Sequence, residues 1–289
     1  MTRRRRYMSQ RDKNVEIFQE TSKLCKQDPT LKQVIKESNA KQRIIYEWDE
    51  VEKVTEHAYT QEAQIVVSKK RSFEAARAYQ GKKVCVHNFA SATNPGGGVT
   101  KGSNAQEESL CRCSTLYFNL TQPVNMSGFY GPHRSLHCAV YNDDCIYTPD
   151  VMVIREDGEG AKLLKEKDWY PVNILTCAAP NLRLHPANAM NPGGAAQAVS
   201  LKPSELKELH KKRLSRILDI ARLEGNEVVI LGAFGCGAFQ NPPAVVVQAF
   251  AEILPEYKYD FETIEFAVFC TARDTENYDA FRRRFGRRG

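Results

Sequence analysis

"NFASATNPGGGVTKGSNAQEESL", Asn88–Leu110, holds three consecutive glycines, then seven residues, then Gln106, Glu107 and Glu108. A tight turn needs one or two glycines, and two glutamates on a solvated helix need none. The apolar run "KVCVHNFA" leads into the stretch and reads as a buried strand, and "AQEESLCRCSTLYFNL" reads as a helix leaving it. The glycines therefore span a strand-to-helix junction. Such a junction exposes backbone N–H groups and the positive end of a helix, a seat for phosphate or polar sugar. Glycine lets the main chain approach a ligand with no Cβ in the way.

Further out, strands and helices alternate. "AQIVVSK", "PVNILTCAAP", "NEVVILGAF" and "TIEFAVFCT" read as strands. "SFEAARAYQ" reads as a helix with Ser72 as N-cap and Glu74 in its first turn. "KPSELKELHKKRLSRILDIARLEG" is a long helix with Pro203 near its start and Gly225 past its end. "PPAVVVQAFAEIL" opens a helix on proline, and a short basic helix ends the chain. This alternation predicts an α/β layered fold. The strands are apolar throughout, so both faces of the sheet are covered. Residues 121–170 and 181–202 read as long loops or insertions. Upstream, residues 10–27 form an amphipathic helix with Val15, Phe18 and Leu24 or Cys25 near helical spacing. Residues 28–62 are mixed, with Pro29 as a breaker. The expected organisation is a helical N-terminal extension, 1–62, packed on a core domain, 63–289.

"LGAFGCGAFQNPP" is a second glycine junction, again between a buried strand and a helix. Ligands of open α/β sheets gather where such strand ends meet. Two phosphate motifs fail. A Walker A loop needs lysine after its second glycine, and Lys101 precedes Gly102. The dinucleotide fingerprint begun by Gly235 and Gly237 needs a third glycine where Gln240 stands.

Glu107 and Glu108 fall in a first helical turn, about 100° apart around the axis. They cannot both flank one bond as an ordinary glycosidase pair does. One acid can hold a ligand hydroxyl while the other transfers a proton. A helix N-terminus favours the ionised carboxylate, whereas a closed cleft raises its pKa. The sequence leaves that contest open.

The net charge of +6 belongs to the ends. Arg3–Arg6 and Arg282, Arg283, Arg284, Arg287 and Arg288 supply nine positives, without which the remainder carries −3. Such ends either attract a polyanion or act as solubilising tails. Nine irregularly spaced cysteines, several in apolar runs, suit reduced thiols in a cytoplasmic chain. Cys111, Cys113, His137 and Cys138 lack zinc spacing, so no metal is expected. No apolar run approaches the roughly 18 residues of a membrane span, and the basic start lacks an apolar h-region.

Gly96-Gly97-Gly98, the spacer and Gln106-Glu107-Glu108 together resemble the signature of the microbial-type poly(ADP-ribose) glycohydrolases, of the macrodomain superfamily. "NFASATNPGGG", "AQEESLCRCSTLY", "IYTPDVMVIRED", "VNILTCAAPN" and "LGAFGCGAFQNPP" are similar to family segments in the family's order, over about residues 10–283. The resemblance implies a three-layer α/β/α macrodomain with a mixed central sheet and ADP-ribose in a cleft at the strand ends. It implies hydrolysis of ribose–ribose bonds in poly(ADP-ribose), with Glu108 the catalytic acid and Glu107 holding ribose hydroxyls. Asn94, Gly96, Gly97 and Gly98 would lie near the distal ribose and its phosphate, and Gln106 would be a further ligand-binding residue. Gly235, Cys236, Gly237, Ala238 and Phe239 would cradle the diphosphate, with Phe239 on the terminal ribose. It implies neither cofactor nor metal. Its expected partners are poly(ADP-ribose), ADP-ribose or ADP-ribosylated proteins, met by a monomer in the cytoplasm, or the nucleus of a eukaryote. Val99-Thr100-Lys101 after the glycines and the insertion "RLHPANAMNPGGAAQAVSLKPSE" depart from the common form and leave chain-length preference open. A non-hydrolysing ADP-ribose reader and a mono-ADP-ribosyl hydrolase are the competing readings.

Overall fold

The computed structural model describes residues 8–52, 56–187, 195 and 197–286. Arg3–Arg6, Arg287, Arg288 and residues 188–194 and 196 of the insertion lie outside them.

The chain begins with α1 (Gln10–Gln27), α2 (Pro29–Lys41) and β1 (Arg43–Ile45). β2 (Gln64–Ser68), α3 (Ser72–Ala76), β3 (Val84–Phe89), α4 (Gln106–Cys113) and α5 (Leu116–Leu120) follow. Next come α6 (Pro123–Asn125), a π-helical turn (Met126–Tyr130), α7 (Gly131–Ser135), β4 (Cys145–Val153) and β5 (Tyr170–Cys177). α8 (Pro203–Leu223), β6 (Val228–Leu231), α9 (Pro243–Ile253), β7 (Thr263–Ala267) and α10 (Glu276–Phe285) complete it. The sheet order is β1-β4-β5-β3-β6-β7-β2. β4 pairs antiparallel with both neighbours and every other pair is parallel, so the sheet is mixed.

Strand alternation builds the layers. Val84, Val86, Val228 and Ile230 face a core made with Phe18, Phe73, Leu110 and Leu116, under α1, α3, α4 and α5. Cys85, Val229, Leu231 and Phe266 face the opposite core, made with Leu214, Phe250 and Phe281 of α8, α9 and α10. Helices cover both faces, which is the three-layer α/β/α expectation.

Several local expectations change. Pro29 ends α1 but also opens α2, where its missing N–H costs nothing, and Asp28 caps that helix. The N-terminal segment also supplies a sheet strand, β1, beside its helices. Ser72 lies inside α3 rather than capping it; Arg71 is the N-cap residue, its N–H bonded to Glu74. The expected single helix from Ala105 to Leu120 breaks at Ser114. There Thr115 donates to Met152 O, and Ile154 donates to Cys113 O, so pairing with the end of β4 overrides helical continuity. Residues 121–170, expected as loops, contain α6, the π turn, α7 and the nine-residue β4. Pro149 and Asp150 hid that strand: the register shifts between Thr148 and Val151, and Asp150 has φ +56°.

Candidate active site

β3 and β6 are adjacent and parallel, so the loops that follow them open on the same edge of the sheet. The first loop leads from β3 into α4 and the second from β6 into α9.

At the start of α4 both acids are enclosed, Glu107 3% and Glu108 8% exposed. Glu107 accepts from the Ser91 N–H at 2.8 Å and from Asn88 Nδ2 at 3.4 Å. Glu108 Oε1 accepts from the Gly98 N–H at 2.9 Å. Its Oε2 is buried and has no hydrogen-bond partner. Gly97 has φ +55°, and a Cβ there would lie 2.5 Å from Glu108 Oε1. Only glycine fits where the loop wraps the carboxylate.

Burial pushes Glu107 up to about 8, and the neighbouring Glu108 charge adds to the rise. Hydrogen bonds from Ser91, Asn88 and Gly96 pull the other way without cancelling it. At Glu107, desolvation thus outweighs the groups that favour the charged form.

A cleft of about 480 Å³, within the range of small-molecule sites, lies beside the acids. Gly235, Gly237, Ala238 and Phe239 of the second loop line it, together with Gln106. At its other end the Arg71 guanidinium lies 3.9 Å over the Phe269 ring. Glu107, Glu108, Asn94 and Gly96–Gly98 form a separate group that does not line this cleft. Cys236 does not line it either; its side chain packs on the core. Gln106 reaches the cleft wall with its amide committed to the protein. It accepts from the Phe89 N–H at 2.9 Å and donates to Ser72 Oγ and His87 O. Arg183 stands beside the second loop. Its guanidinium lies 5.4 Å over the Phe239 ring, and burial lowers its pKa against the opposing charges of Tyr141 and Glu108.

The glycine-wrapped, buried acid pair thus stands at the start of α4, next to the cleft that Gln106 lines. The model of the family described as "Microbial-type PARG, catalytic domain" matches residues 1–156. The structure of poly(ADP-ribose) glycohydrolase from Thermomonospora curvata is 31% identical, covering 94% of this chain and 99% of that one with a TM-score of 0.81.

The chain belongs to the microbial-type poly(ADP-ribose) glycohydrolases.

The same Thermomonospora enzyme bound to the inhibitor ADP-HPD is likewise 31% identical over the same shares of the two chains, with a TM-score of 0.78. The Deinococcus radiodurans enzyme in complex with ADP-ribose is 34% identical, covering 86% of this chain and 96% of that one, with a TM-score of 0.73. Among curated proteins the sequence has no significant match.

Several side chains around the two loops escaped the sequence reading. Asn88 and Ser91 hold Glu107, Arg134 Nε donates to Thr93 O at 2.7 Å, and Arg183 stands over Phe239. Asn88 and Ser91 lie inside the signature stretch and could have been found as donors near a paired acid. Arg134 and Arg183 come from distant loops and leave no local signal. Among the described residues, no three His, Cys, Asp or Glu side chains gather as a metal site.

Proposed function

We propose that the chain hydrolyses the ribose–ribose O-glycosidic bonds of poly(ADP-ribose) and releases ADP-ribose, with Glu108 as general acid and then general base. The observation that carries this reading is the Glu108 carboxylate, bonded to the Gly98 N–H and closed over by Gly97 beside a cleft. The second loop receives the diphosphate on its backbone and Phe239, and Arg183 faces the same charge. The Arg71–Phe269 shelf offers a flat surface for the adenine. Gln106 acts by tying α4 to β3 and α3.

In this reading Glu108 donates its proton to the leaving ribose oxygen as the glycosidic bond breaks. Positive charge develops at the anomeric carbon, near the diphosphate. Water adds to that carbon and gives its proton to Glu108, which restores the acid. One carboxylate suffices for both transfers. Glu107 accepts from the ribose hydroxyls and so positions the sugar against Glu108.

The test is incubation with poly(ADP-ribose), followed by separation of free ADP-ribose. Wild-type protein releases it, and Glu108→Gln keeps polymer binding while losing turnover by at least about 100-fold. A wild type that binds polymer but releases nothing is a reader. Release only from a mono-ADP-ribosylated protein assigns it to the third reading. Full turnover by Glu108→Gln means that another group is the acid.

All nine cysteines are free thiols, which suits a reducing compartment such as the cytoplasm or nucleus. No helix among the described residues is long and apolar enough to cross a membrane.

A further inference from the structure

α8 does not touch the cleft, yet two of its enclosed polar side chains reach the loops that form it. His210 and Arg213 are three positions apart, 0% and 1% exposed, and share one helix face. Arg213 donates to Ala178 O at 2.9 Å and Val140 O at 2.7 Å, and pairs with Asp143 at 2.7 Å. It thereby anchors the segments on either side of the β4–β5 strand ends.

His210 acts on the second glycine loop. Its Nε2 lies 2.9 Å from Asn241 Oδ1. Asn241 is 1% exposed, and its Nδ2 faces three carbonyls: Pro180 at 2.7 Å, Gly235 at 3.1 Å and Phe239 at 3.3 Å. Those carbonyls fix the amide's orientation, so Oδ1 must face the imidazole and Nε2 must carry the hydrogen. The Asn241 N–H also donates to Gly235 O at 3.0 Å. Gly235, at φ +77°, presses so closely that a Cβ would meet Asn241 Nδ2 at 2.7 Å and Ala179 Cβ at 2.6 Å. Burial lowers His210 to about 4, so it is neutral near pH 7 and remains a single-tautomer donor.

We infer that His210 is a positioning residue for ligand binding: through Asn241 it holds the Gly235–Phe239 loop in its receiving shape. The inference rests on the reading that this loop takes the diphosphate of ADP-ribose. His210 touches neither ligand nor reacting atoms, and its effect belongs to binding rather than to the chemical step. Without its donor, Asn241 Oδ1 is a buried unpaired acceptor, and the amide is free to turn away from the loop carbonyls.

The experiment compares His210→Leu, which removes the donor, with His210→Gln, whose amide N–H can replace it. ADP-ribose affinity is measured by calorimetry, and kcat and KM are measured on poly(ADP-ribose). His210→Leu weakens ADP-ribose binding and raises KM on the order of tenfold. Its kcat at saturation stays within about twofold, the pattern of lost uniform binding. His210→Gln returns both constants to within about twofold of wild type. The inference is overturned by unchanged affinity in His210→Leu, by a fall in kcat at constant KM, or by a glutamine no better than leucine. His210→Met gives the same comparison should the leucine variant fail to fold. If the wild type binds ADP-ribose but releases none from polymer, the hydrolase reading fails, while the affinity comparison still decides the role of His210.

Discussion

Glu107 is enclosed beside a second carboxylate, and its pKa rises to about 8 from an ordinary 4.5. A buried acid with a raised pKa binds more protons in the folded than in the unfolded chain between those values. Its contribution to stability is therefore complete below about pH 4.5 and is lost as pH climbs through about 8. The melting temperature of wild type should fall relative to that of Glu107→Gln between pH 5 and pH 9. Parallel melting curves across that range would place the proton elsewhere. The pair was legible in the sequence because adjacency and a glycine-rich approach are local. Arg183 and His210 were not, because their partners Phe239 and Asn241 lie 56 and 31 residues away along the chain.

The first loop is held from two sides. Inside, it wraps Glu108; outside, Arg11 Nε of α1 donates to Lys101 O at 2.7 Å and Asn14 Nδ2 to Gly102 O at 3.1 Å. Phe18 of α1 packs edge-on against Tyr117, and that ring also lies against Gly96. The N-terminal helix thus backs the first glycine loop, which its amphipathic pattern alone did not reveal. Gly97→Ala should lower turnover by about 100-fold, because the added methyl would meet Glu108 Oε1 and a shift of about 1 Å costs that much. The variant should still fold, since strain at one positive-φ position is on the order of 1–2 kcal/mol. Asn14→Ala should reduce kcat a few-fold with ADP-ribose affinity unchanged, as it loosens the loop from behind. An equal loss in both would make Asn14 a general stabiliser. At this scale, elements with uninterrupted patterns were readable and β4 was not: its Pro149 and Asp150 break the apolar run that marks a strand.

Across the whole molecule, alternating patterns dictated the α/β class, and uniformly apolar strands dictated cover on both faces. The sheet order was beyond them. Which strand lies beside β3 is settled by long-range pairing, and β1 joins the far edge through residues about 100 positions from its partner. That order is what brings both glycine loops to one edge. The unevenly placed charge follows no such geometry and can be tested alone. Arg282, Arg283 and Arg284 are exposed on α10, but Phe281 is buried there and Phe285 stacks on Phe266 at 4.8 Å. Deleting that end would therefore remove core packing along with charge. Substituting glutamine for Arg282, Arg283 and Arg284, and deleting Arg3–Arg6, removes seven positives and keeps the aromatic contacts. If these ends attract the polymer, its affinity should drop several-fold at about 50 mM salt. The difference should vanish near 1 M, where screening shortens to about 3 Å. kcat on polymer at saturation should not change, because the acid pair is untouched. Equal affinity at low salt would leave the arginines as solubilising ends, with polymer held by the cleft alone.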